Sequence, residues 1–236
     1  MIALAWFLLW RMTIPAPGGD MGAMAMTAMP PAINPGYIAS AFIMWFLMMA
    51  AMMLPSASPM ILLYARLAGD APHRAGPFSP TLVFTATYLA VWAIFSLAAA
   101  ALQALLIKLG LISAVALALG DHRVAGALLV AAGLYQLTPL KTACLTRCRS
   151  PLSFLMRLWR PGWRGALRLG AIHGLSCLGC CWMLMALLFI GGVMNLAWVV
   201  VLALVVLLEK IAPIGPRVAR VIAAGAVLAG LVLAVT

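Results

Sequence analysis

The sequence predicts an all-α protein, a polytopic transmembrane helix bundle of six to seven spans. Three observations carry that prediction. Of 236 residues, 67% are hydrophobic and 8% charged, whereas soluble domains lie nearer ~45–50% and ~25%. The apolar residues gather into runs approaching the ~20 that a helix needs to cross a hydrocarbon core. Pro and Gly cluster between the runs, at 15–18, 30–36, 72–80, 191–192 and 213–216, where helices are expected to break. Soluble-globule, collagen-like, disordered and secreted disulfide-scaffold classes are excluded by the same composition.

Taken in order, the first apolar run covers 2–14. It is short for a crossing and lacks a basic leader; it reads as a retained span, with a weak signal peptide or the stub of a longer N-terminal segment as alternatives. The other spans are placed at 36–54 or somewhat beyond, 81–106, 124–139, 166–189, 193–208 and 218–235. The chain is thus expected to be one membrane domain over 1–236. Within it, 1–35 holds the short span and an external Met-rich loop, 36–140 holds spans two to four, 141–165 is a basic cytoplasmic loop, and 166–236 holds spans five to seven. No internal repeat supports an inverted-repeat transporter.

Charge sets the expected orientation. Fifteen Lys and Arg against four Asp and Glu give a formal +11, but the basic residues flank apolar spans. They therefore read as topology signals and lipid-headgroup contacts rather than a nucleic-acid surface. The stretch 141–168 carries Lys141, Arg147, Arg149, Arg157, Arg160, Arg164 and Arg168 and no acid, which the positive-inside bias assigns to the cytoplasm. The Met-rich stretch 12–29 then faces outward.

The strongest chemical signal lies in the fifth span, His173-Gly-Leu-Ser-Cys177-Leu-Gly-Cys180-Cys181. At 100° per residue, His173, Cys177 and Cys180 share a wedge of roughly 60°, with Cys181 just off its edge. Thiolates with an imidazole suit Cu(I) or Zn(II), not Mg or Ca. The bland alternative is that the cysteines are small hydrophobes and His173 hydrogen-bonds a neighbouring helix.

In the second span, Met44, Met48 and Met52 recur every four residues, with Met49 and Met53 in an adjacent stripe. Thioethers favour Cu(I) or Ag(I), although Met is also an adaptable gap-filler. Met21, Met24, Met26 and Met29 precede the stripe, and twelve of the sixteen methionines fall in the first sixty residues. That crowding points to soft-metal capture by an external loop. Met48 and Cys177 each lie about 16 Å along their helices from the expected membrane boundaries. Both fall near the midplane of a ~30 Å core, where they meet if the two helices adjoin.

At the end of the fourth span, Cys144 and Cys148 sit four residues apart beside Arg147 and Arg149. Two thiols do not complete a tetrahedral site, so they read as a partial site, an exit pair, a reducible dithiol or an incidental pair. Glu209-Lys210 ends the sixth span and reads as an interfacial ion pair with a snorkelling lysine; Glu209 is alternatively a proton or cation ligand. Asp121 is expected to cap a helix. No Ser/His/Asp set, Gly-rich phosphate loop or paired-acid system is present, which excludes a nucleotide-driven pump within this chain.

Together these motifs resemble a bacterial family of predicted metal-binding integral membrane proteins of unknown function. The matching stretches are Met44-Trp…Met48-Met49…Met52-Met53-Leu-Pro-Ser, Tyr135-Gln-Leu-Thr-Pro-Leu-Lys141…Cys144…Cys148-Arg-Ser-Pro151, His173-Gly…Cys177…Cys180-Cys181-Trp and Glu209-Lys210…Pro213. They run in order from the second span to the sixth. The resemblance implies metal binding and a multi-pass protein of the bacterial inner membrane.

The expected function is soft-metal binding, with copper as the ion and zinc as the alternative, in transport or in delivery to a membrane enzyme or metallochaperone. Met21, Met24 and Met26 would recruit the ion and Met44, Met48 and Met52 relay it. His173, Cys177, Cys180 and Cys181 would hold it, and Cys144 and Cys148 hand it on. Two rivals stand beside this reading: a thiol-redox membrane enzyme using Cys177, Cys180 and Cys181, and a non-catalytic subunit or assembly factor. The bilayer is the expected surrounding, and nucleic acid is not an expected partner.

Overall fold

The computed structural model describes residues 6–7, 33–69, 79–113 and 117–235. Among them the regular structure is helical, save for one isolated antiparallel bridge between Ile112 and Leu119. In chain order the helices are α1 (Pro35–Gly69), α2 (Pro80–Lys108), α3 (His122–Gln136), α4 (Pro139–Arg149), α5 (Pro151–Leu158), α6 (Gly162–Ala186), α7 (Leu188–Gly191), α8 (Leu196–Ile211) and α9 (Gly215–Val235). The 2–14 span and Met21, Met24 and Met26 lie outside the described residues, apart from Trp6 and Phe7.

Four helices, α1, α2, α9 and the stretch Gly162–Gly191, are long and apolar enough to cross a membrane. The expected 124–139 span is not one straight helix: α3 and α4 meet at a 62° bend, the geometry of a broken span or a re-entrant loop, and count as a fifth candidate only if taken as one span. Local sequence explains the break. Pro139 has no N–H to continue α3, and Thr138 turns outward to accept from Lys141 N at 3.3 Å, starting a fresh helix. The expected 193–208 span is α8, sixteen residues long. At ~1.5 Å per residue it reaches about 24 Å, short of a ~30 Å core. The stretch 141–165 is not a simple loop, because α4, α5 and the start of α6 occupy most of it.

Two packing relationships position the interior. Helix α2 lies between α1 and α6, packing against both, while α3 pairs with α9 along most of its length. The α2–α6 approach is close: a Cβ on Gly170 would lie 2.5 Å from the Phe84 carbonyl oxygen. Small residues of this kind let membrane helices approach backbone to backbone. Between α1 and α2 the buried Trp45 indole donates to Gln103 Oε1 at 2.8 Å, and Gln103 Nε2 donates to the Tyr37 hydroxyl at 2.7 Å. In an apolar surrounding such satisfied polar pairs fix the rotation of each helix about its axis. Asp121 caps α3, its carboxylate accepting from Arg123 N at 2.7 Å.

Candidate metal centre

The centre is built from α6. Its buried face carries His173, Ser176, Cys177, Cys180 and Cys181, the grouping that helical spacing predicts. The thiols of Cys180 and Cys181 both donate to the Cys177 carbonyl at 3.0 Å. That folds the three side chains back onto one turn. The sulfur of Cys177 accepts from Lys210 Nζ of α8 at 2.9 Å and lies 3.1 Å from the Tyr88 hydroxyl of α2. The Tyr88 hydroxyl also donates to the Met53 carbonyl at 3.5 Å.

From α1 comes a thioether. Met53 Sδ lies 3.8 Å from the Cys181 thiol and 3.8 Å from Lys210 Nζ. Helices α1 and α6 therefore do bring sulfur to one place, across the edge of α2. The methionine that makes the contact is not in the expected relay. Met44, Met48 and Met52 are buried, but at ~100° per residue they lie about 180°, 140° and 100° around α1 from Met53. Tethering of Trp45 to α2 sets this rotation, and Met53 together with Ser56 then faces the thiols and Lys210.

His173 is one turn from Cys177 but occupies different surroundings. Its ring stacks on Phe84 and Tyr88 of α2, with centroids at 6.0 and 5.5 Å, and meets Phe154 of α5 edge-on at 5.8 Å. Its Nδ1 is buried with no hydrogen-bond partner. A buried, unpartnered imidazole nitrogen is costly unless something occupies it.

A second thiol group adjoins the first. The Cys148 side chain of α4 lies beside that of Cys180, and Cys144 Sγ rests against Gly179, 2.8 Å from where a Cβ would stand. All five cysteines are free thiols, two on α4 and three on α6. Among the described residues, no three or more His, Cys, Asp and Glu side chains gather tightly enough to hold one ion by themselves. What gathers is two thiols and a thioether, a low-coordinate, soft donor set. Such a set matches Cu(I) chemistry rather than the four-ligand tetrahedron of structural zinc.

The Glu209–Lys210 reading is corrected by the coordinates. Both side chains are buried, and they point apart. Glu209 Oε2 accepts from Lys141 Nζ at 2.6 Å and Oε1 accepts from Gln136 Nε2 at 2.9 Å, while Lys210 turns to the sulfurs. Adjacent residues on a helix differ by ~100° in direction, so a pair at neighbouring positions more naturally serves two sites than one. Sequence reasoning missed Lys210, Tyr88 and Met53 as members of the centre. The available signal was a lysine three residues before a proline at the end of an apolar helix with one acid beside it.

The family model described as PpoB2, a copper chaperone, matches residues 42–233. The chain belongs to the PpoB2 copper chaperone family. No curated protein and no solved structure matches it. As a PpoB2 family member it has a copper-related function, and a chaperone family implies a recipient enzyme for the metal. The portion matched by the PpoB2 model holds all five cysteines, Met44 to Met53, His173, Lys141, Glu209 and Lys210; Met21, Met24 and Met26 precede it.

Proposed function

We propose that this protein is a multi-pass protein of the bacterial inner membrane that takes up Cu(I) as cargo between Cys177, Cys181 and Met53 and delivers it to a membrane enzyme. The observation that carries the reading is the approach of Met53 Sδ to the Cys181 thiol, 3.8 Å apart and contributed by different helices. Cu(I) accepts two or three sulfur ligands, and family membership supports copper over zinc. His173, one turn away on the same helix, has a buried, unpartnered Nδ1, but its ring lies among Phe84, Tyr88 and Phe154 and is not gathered with the two thiols. Met21, Met24 and Met26 would recruit the ion outside, and the buried Met44, Met48 and Met52 would line its approach.

Release follows by ligand exchange. Cys180 touches the loading group through the Cys177 carbonyl and adjoins Cys148 on its other side, so a Cu(I) ion can pass between thiolates without changing oxidation state. Cys144 and Cys148 end the route near the basic residues Arg147 and Arg149, on the side the charge bias assigns to the cytoplasm. Glu209, held by Lys141, serves as a fixed charge in this scheme rather than a carrier.

Metal analysis of the reduced, detergent-purified protein tests the reading. Near-stoichiometric copper is expected, with most of it lost in Cys177→Ser and Cys181→Ser. Zinc alone, or copper content indifferent to both substitutions, would overturn it. The Cys148–Cys180 adjacency also favours a second reading, dithiol redox exchange. A mixed disulfide with a partner trapped in cells by rapid alkylation, formed whether or not copper is supplied, would decide for that alternative.

A further inference from the structure

The described part of the chain buries two lysines but only one acid beside them. Lys141 and Glu209 are 1% and 2% exposed and pair with each other at 2.6 Å. The other acid among the described residues, Asp121, is exposed at the cap of α3. Among the described residues, Lys210 is therefore a buried ammonium with no carboxylate beside it. Its neighbours are Cys177 Sγ at 2.9 Å, Ser56 Oγ at 3.4 Å and Met53 Sδ at 3.8 Å. An unpaired charge inside an apolar bundle carries a heavy desolvation cost, and the group placed to balance it is a cysteine thiolate.

We propose that Lys210 is the built-in counter-ion of the sulfur pocket and a specificity determinant that makes the pocket select a soft monovalent ion over a divalent one. The inference rests on the copper-site reading. The charge argument is short. Two thiolates, Cys177 and Cys181, cancel one monovalent ion and one ammonium, leaving the occupied pocket neutral. A divalent ion on the same two thiolates leaves an excess positive charge in a medium where water does not screen it. A third thiolate would restore balance, but the described His, Cys, Asp and Glu side chains do not gather three to a point, and Cys180 adjoins Cys148.

The geometry also explains why the lysine comes from α8. Glu209 directs one face of that helix to α4, and the next residue, ~100° around, reaches α1 and α6. A single helix end thus holds one closed ion pair and one open positive charge.

The test compares affinities of the full-length reduced protein for Cu(I) and for Cd(II), each added alone and measured by competition against a chromophoric chelator. In wild type Cu(I) binding is expected to need Cys177 and Cys181. Lys210→Leu, which removes the charge without adding a soft donor, is expected to shift the Cu(I):Cd(II) affinity ratio toward Cd(II) by about tenfold or more, and Lys210→Arg to keep most of the wild-type ratio. If Lys210→Leu does not fold, Ser56→Asp keeps the lysine and supplies it with a carboxylate; the same shift toward Cd(II) is expected. A wild type that binds Cu(I) through these thiols, with a ratio unmoved in whichever of the two variants folds, overturns the role given to Lys210 and leaves the copper reading intact. A wild type that binds no Cu(I), or binds it independently of Cys177 and Cys181, overturns the copper reading itself.

Discussion

Glu209 and Lys141, sixty-eight positions apart in the chain, form a 2.6 Å salt bridge that joins α8 to α4 in the buried interior, beside the bend between α3 and α4. Gln136, the last residue of α3, donates to the same carboxylate, and Arg149 donates to the Glu209 carbonyl at 2.8 Å. The bent α3–α4 pair is thus tied to the helix that carries Lys210.

Removing either partner of this pair alone is expected to be costly, and removing both much less so. Lys141→Met or Glu209→Gln leaves a buried charge uncompensated and is expected to lose about 3–5 kcal/mol of stability. Lys141→Met combined with Glu209→Met removes both charges and is expected to recover most of that loss. Equilibrium unfolding in detergent measures it; single variants as stable as the wild type would show that the pair is not the tie described here.

The two methionine stripes should separate functionally. Met53→Leu removes the thioether that meets Cys181 and keeps the volume, so Cu(I) affinity is expected to fall about tenfold or more with little change in stability. Met44→Leu, on the opposite side of α1, is expected to stay within a few-fold of wild type. Chelator competition on both variants checks this, and the reverse order would count against the assigned site.

Cys148 and Cys180 should matter for release more than for loading. Cys148→Ser is expected to leave copper content near wild type while slowing transfer of Cu(I) to a soluble thiol acceptor. Stopped-flow transfer rates provide the measurement. Unchanged rates in Cys148→Ser would remove α4 from the route.

The α3–α9 pair depends on bare backbone. A Cβ on Gly230 would lie 2.6 Å from the Gly126 carbonyl oxygen, and one on Gly126 would lie 2.6 Å from that of Gly230. Gly230→Leu is expected to force the helices apart and lower the melting temperature, whereas Gly225→Leu, whose added Cβ meets nothing within 4 Å, is expected to change it little. Thermal melts of the two variants in the same detergent check the contrast.

Composition and periodicity were enough to determine that the chain is helical and apolar, and that His173, Cys177 and Cys180 share a face of one helix. These are local consequences of 3.6 residues per turn and of burial in an apolar solvent. Which thioether meets which thiol was not legible, because the rotation of α1 depends on Trp45 bonding Gln103 of another helix. The fate of Glu209 and Lys210 was equally hidden. Neighbours in sequence look like partners, yet the ~100° step between them sends one to Lys141 and the other to Cys177. Only the tertiary arrangement assigns those charges, since in a buried interior an ion settles by the partners that packing brings within reach and not by those adjacent in the chain.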